Sequence, residues 1–130
     1  MIYAFVLFLI LFGAPHIIRL RRNKKYKMKA LETLSERLIK IQQLLDRGGE
    51  DSEAIFEAIG YLGPYHDFYE WEHLPKNIVW HIDCLRDQLN GWLSYLDCGI
   101  RPFAGCGTKE GIAMHMEALG KLICANGDSK

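Results

Sequence analysis

Apolar residues are unbroken at the start of the chain and periodic thereafter. The run MIYAFVLFLILF carries no charge, and Gly13, Ala14, Pro15, His16, Ile17 and Ile18 follow before the first arginine. A helix of about 18 residues spans about 27 Å, close to the hydrocarbon thickness of a bilayer. No polar face appears in this run at any helical period. The pattern predicts a single membrane-spanning helix over roughly residues 2–18. A cleaved signal peptide would place its cations before the apolar run and a small-residue cleavage site after it, and here the cations follow. A buried core helix would need cover on every side from a small domain.

Beyond residue 28 the apolar positions take on a helical period. Leu31, Leu34, Leu38, Ile41 and Leu45 recur at spacings of three and four, with charged and amide side chains between them. This predicts an amphipathic helix over residues 28–46, ended by Gly48-Gly49. Asp51 or Ser52 can cap a short helix running to Leu62, where Gly63-Pro64 stops it. The segment 65–74 lies between Pro64 and Pro75 and allows one or two helical turns. A long helix follows Pro75, with Ile78, Ile82, Leu85, Leu89, Trp92 and Leu96 on one stripe. Trp80, Cys84, Gly91 and Tyr95 form a second band on its flank, which predicts a central helix with more than one neighbour. Residues 97–108 are glycine-rich and aperiodic, hence a loop. Thr108 is the expected N-cap of a last helix burying Ile112, Met116, Leu119 and Ile123 and ending before Asn126. No strand-like alternation occurs. The expected fold is all-α: one N-terminal transmembrane helix, then a small antiparallel helical bundle of three long helices and one short one.

Charge sharpens this division. The net charge is zero, yet residues 1–29 hold Arg19, Arg21, Arg22, Lys24, Lys25, Lys27 and Lys29 and no Asp or Glu. Residues 30–130 set nine Lys/Arg against all 16 Asp/Glu, a net −7 with neutral histidines. The sequence therefore divides into an anchor (1–18), a basic juxtamembrane collar (19–29) and an acidic helical domain (30–130). Cations after a span hold that side in the cytoplasm, so the N-terminus is expected outside and residues 19–130 inside. The collar would also attract anionic lipid. It lacks the interleaved aromatic or polar readers that nucleic-acid binding needs, with only Tyr26 available, so no nucleic-acid partner is expected.

Three constellations could carry chemistry. His66, Glu70 and His73 would share one face if 65–74 were continuous helix. Glu70-x-x-His73 matches half of a carboxylate-bridged di-metal signature, but no second Glu-x-x-His occurs. The plainer expectation is an exposed, wet turn. Cys84, Cys98, Cys106 and Cys124 contain no close pair of the kind structural zinc uses. Cys98 and Cys106 flank the glycine-rich loop and can meet, but free and mostly buried thiols are the expectation in a reducing compartment. Tyr65, Phe68, Tyr69 and Trp71, with Glu70 among them, form an aromatic-carboxylate cluster. It is either the edge of a core or a surface for a cationic ligand or a partner's Arg/Lys.

No phosphate-binding loop, nucleophile elbow, H-E-x-x-H or kinase signature is present, and no cofactor is implied. The sequence thus predicts a non-enzymatic interaction, regulatory or scaffolding module at the cytoplasmic membrane face. Membrane lipid and a protein are its expected partners, with Tyr65, Phe68, Tyr69, Glu70 and Trp71 as the partner surface. The alternative is a metal-binding helical enzyme or redox protein using His66, Glu70 and His73, or Cys98 and Cys106. A homodimer through the seam of Leu31, Leu34, Leu38, Ile41 and Leu45 is a further expectation, aided by tethering in two dimensions. Most of that seam is expected to serve the domain's own core.

Overall fold

The computed structural model describes residues 14–63, 65–66, 68–100 and 107–127, with side chains of the first helix described from residue 23 onward. Four helices account for nearly all of them: α1 (Ala14–Gly48), α2 (Ser52–Leu62), α3 (Lys76–Cys98) and α4 (Lys109–Gly127). A single 3-10 turn, Tyr69–Trp71, lies between α2 and α3. No strand occurs among the described residues. Each helix packs on its neighbour in sequence, and α4 closes back against α1.

The sequence signals explain most of the boundaries. Asp51 adopts an extended backbone and its carboxylate accepts from Glu53 N–H at 3.1 Å, supplying the cap of α2. Pro75 precedes α3, and its carbonyl accepts from Ile78 and Val79, both at 3.1 Å. Gly99, at φ 70°, ends that helix in the left-handed region. The Thr108 hydroxyl accepts from Gly111 N–H at 3.0 Å and opens α4. The expected order of one long, one short and two further long helices is therefore present.

The expected membrane placement is overturned. Among the described residues no helix is long and apolar enough to cross a membrane. Most of the span expected at residues 2–18 lies outside the described residues. What is described of it, from Ala14, forms no separate element. It runs without a break through the collar into the leucine seam, as one helix of 35 residues. The boundaries expected at 18/19 and 29/30 are thus internal to one helix, and the assignment of an outward N-terminus and a cytoplasmic body falls with the span.

The core is the meeting place of the predicted stripes. Leu31, Leu34, Leu38 and Ile41 of α1 are buried against Ile55, Ala58, Ile59 and Leu62 of α2, and against Ile78, Ile82, Leu85, Leu89, Ile112 and Leu119 of α3 and α4. Leu45 is half-buried at its edge. The seam offered for self-association therefore lies inside the bundle. The second band of α3 is divided: Gly91 is buried and Cys84 half-buried, while Trp80 and Tyr95 are exposed. The thiols also depart from expectation. Cys98 and Cys124 are exposed, because each falls on the outer face near its helix end. Cys106 lies outside the described residues.

Candidate functional site

The polar hub beside the 3-10 turn begins at the C-terminal end of α2, whose last carbonyls have no partner within the helix. Arg86 of α3, nearly fully buried, donates Nε to Gly63 O at 2.7 Å and Nη2 to Leu62 O at 3.0 Å. Its Nη1 meets Asp83 Oδ1 at 2.6 Å. The Leu62 carbonyl accepts a second bond from the Trp71 indole at 2.7 Å. Trp71 is thereby fixed in the core, 3% exposed, and the turn that carries it is docked on α2. Gly63 at φ 87° leaves room for the Phe68 ring, which lies 2.4 Å from where a Cβ would stand.

This anchoring divides the aromatic cluster. Trp71 is core, Phe68 is half-buried, and Tyr65 and Tyr69 remain open, Tyr69 at 69% exposure. Phe68 is the hub of the rings, with centroids 5.7 Å from Tyr65, 5.3 Å from Tyr69 and 5.9 Å from Trp71. Across from them, the next helix presents Trp80 at 59% exposure. Phe68, Tyr69, Trp71, Val79 and Trp80 line an open groove of about 610 Å³, with Glu72, Asp83, Lys76 and His66 as its ionisable members. That volume falls in the range of ligand pockets, roughly 300–1,000 Å³.

The expected trio of metal candidates separates. His66 Nδ1 lies 2.8 Å from Asp83 Oδ2. Glu70 pairs instead with Arg37 of α1, whose guanidinium lies 5.2 Å from the Trp71 ring. His73 stacks on Tyr26 with centroids 5.1 Å apart. Only Tyr69–Trp71 is helical here, as a 3-10 turn, so positions 66 and 73 lie outside it and the shared face of a continuous helix does not form. No group of three or more His, Cys, Asp or Glu side chains is arranged to hold a metal ion among the described residues.

Sequence reasoning missed two features. Trp80 was read as one member of a packed band, and it stands in the groove instead. The other is a histidine pair: His81 Nδ1 of α3 and His115 Nδ1 of α4 are 3.0 Å apart, and Trp80 sits edge-on to His81 with centroids 4.8 Å apart. One imidazole must donate and the other accept, so the contact requires at least one neutral ring. Burial, reinforced by the charge of His81, holds His115 below the ordinary histidine value. No motif couples residues 34 apart on two helices, so only the three-dimensional register reveals the pair.

The chain matches no protein-family model, no curated protein and no solved structure in the three comparisons made.

Proposed function

We propose that the protein is a non-enzymatic interaction module that docks a protein partner in the groove between the 3-10 turn and the start of α3. The observation that carries this reading is the exposure of Tyr69 and Trp80 in the wall of one concave site. A small bundle normally directs large aromatics inward, and Trp and Tyr are the residues most enriched where partners bind. The groove is also anchored from below. Trp71 and Arg86 tie its floor to the end of α2, so docking side chains meet a preorganised surface.

Site-specific photocrosslinking tests the reading. A benzoylphenylalanine at position 69 or 80 is expected to give one discrete adduct with a partner protein in cells. The same probe at Phe56, which is equally open and lies on α2, is expected to give none. Equal adducts at all three positions, or none at 69 and 80, would overturn it.

A further inference from the structure

The groove combines aromatic faces with carboxylates, and this pairing has a definite chemical preference. Trp80 and Tyr69 are exposed walls, Phe68 and Trp71 lie deeper, and Asp83 and Glu72 are in the same lining. The face of an aromatic ring carries negative potential and attracts ammonium or guanidinium groups, most strongly for indole. A carboxylate within the same cavity supplies the counter-charge.

Asp83 is held ready for that role. Its Oδ1 is fixed by Arg86 at 2.6 Å, which sets the orientation of the carboxylate. Its Oδ2 meets His66, whose side chain is 75% exposed. An ion pair this open to water contributes little, so the His66–Asp83 contact opposes an incoming cation only weakly. One further observation bears on the sign of the partner. Residues 30–130 have a net charge of −7, which favours approach of cations over anions. Lys76, also in the lining, is exposed on a flexible stem.

The geometry points to a binding site for a lysine or arginine side chain of the partner protein, seated between Trp80 and Tyr69 with its charge on Asp83 and Glu72. This rests on the docking reading above and names the chemistry of the docked residue. Arg37 shows the same recognition within the chain: its guanidinium pairs with Glu70 and lies 5.9 Å from the Phe68 ring and 5.2 Å from the Trp71 ring.

The test uses the full chain and capped tripeptides as probes: Ala-Lys-Ala, Ala-Arg-Ala, the uncharged isostere Ala-norleucine-Ala, and Ala-Glu-Ala. The readout is the indole N–H resonance of Trp80, assigned by its loss in Trp80→Phe. The Trp71 and Trp92 indoles, bonded to Leu62 O and Gly49 O, serve as internal controls. Lysine and arginine probes are expected to shift the Trp80 signal saturably in the millimolar range, with the norleucine and glutamate probes inert. Tyr69→Ala should weaken the arginine probe about twofold to thirtyfold, the span of a cation–π contact. Glu72→Gln should weaken it as well, and His66→Ala should tighten it. An equal response to norleucine would overturn the cation site while leaving apolar docking intact. No response to lysine or arginine would also overturn it, and the crosslinking result would then stand or fall on its own.

Discussion

Arg86 and Asp83, one turn apart on α3, form an ion pair in which the arginine is buried and the aspartate half-open. The asymmetry defines their roles. Arg86 faces inward and satisfies the carbonyl end of α2, while Asp83 faces the groove and compensates the buried charge. Removing the arginine takes a donor from Gly63 O and Asp83 Oδ1 and leaves Leu62 O with the Trp71 indole alone. Arg86→Met should destabilise the fold by about 3–5 kcal/mol in urea unfolding, the cost of breaking a buried pair. Arg86→Lys should recover only part of that, because a single ammonium cannot reproduce the fork.

The groove walls should behave in the opposite way. Tyr69→Ser and Trp80→Ser remove exposed rings, so urea midpoints should shift by no more than about 0.5 kcal/mol in stability. Trp71→Phe, two residues along from Tyr69, loses the indole bond to Leu62 O and should cost about 1 kcal/mol. A stability loss at Tyr69 matching that at Trp71 would show that both rings serve the core.

The seam of α1 makes a third contrast. Leu34 and Ile41 are fully buried. Leu34→Ala should cost about 2–5 kcal/mol. Leu38→Asp should abolish cooperative unfolding, because it places a carboxylate inside the bundle. A folded Leu38→Asp chain with altered oligomeric state in sedimentation would return the seam to an intermolecular role.

Stability should also depend on pH through His115. Its folded value lies below that of the unfolded chain, which is about 6.5 for an ordinary histidine. The unfolded state therefore binds the proton more readily, and its share of stability is complete above about pH 6.5 and is lost as the pH falls towards the lowered value. Twice-protonated, the pair with His81 would face two N–H groups and two charges across 3.0 Å. The thermal midpoint should fall between about pH 7 and about pH 5, and less steeply in His115→Gln. Parallel profiles would refute the contribution of this histidine.

One backbone contact is equally exposed to test. Gly107, at φ 75°, lies so close to α3 that a Cβ would come within 2.5 Å of the Gly91 carbonyl carbon and 2.7 Å of Trp92 N. Gly107→Ala should destabilise by more than about 1 kcal/mol, combining a strained backbone with a clash against atoms that cannot rotate away.

Local signals were legible in the sequence where one segment decides its own structure. The Asp51 cap, the start after Pro75 and the Thr108 hydroxyl are short-range hydrogen-bonding events, and the stripe of Ile78, Ile82, Leu85 and Leu89 is a property of one helix. The site was harder. Residues 65–74 could be placed between two prolines, but which aromatics faced inward depended on Trp71 finding the free carbonyl of Leu62. Trp80 belongs to an apolar band by spacing alone. Its 59% exposure depends on which neighbours α3 meets, which no single-helix period contains. The membrane expectation failed on apolar length, since no helix among the described residues is long and apolar enough to cross a membrane. An apolar run and a charged run look like two segments in sequence, yet from Ala14 onward the backbone treats them as one.

That continuity carries a mechanical consequence. Ala30 is the first buried side chain described in α1, so the turns from Ala14 to Lys29 precede the core as a rod about 24 Å long. An unbroken helix resists torsion, so the azimuth at Ala14 is phased to the leucines that grip the bundle. One residue inserted between Arg22 and Lys25 would rotate the rod's start by about 100° and advance it by about 1.5 Å while leaving the packed leucines in place. Four inserted residues would bring it to within about 40° of the original heading. The basic stretch is therefore a crankshaft keyed to the hydrophobic core, and anything joined to its far end inherits a direction set by Leu31 and Leu34.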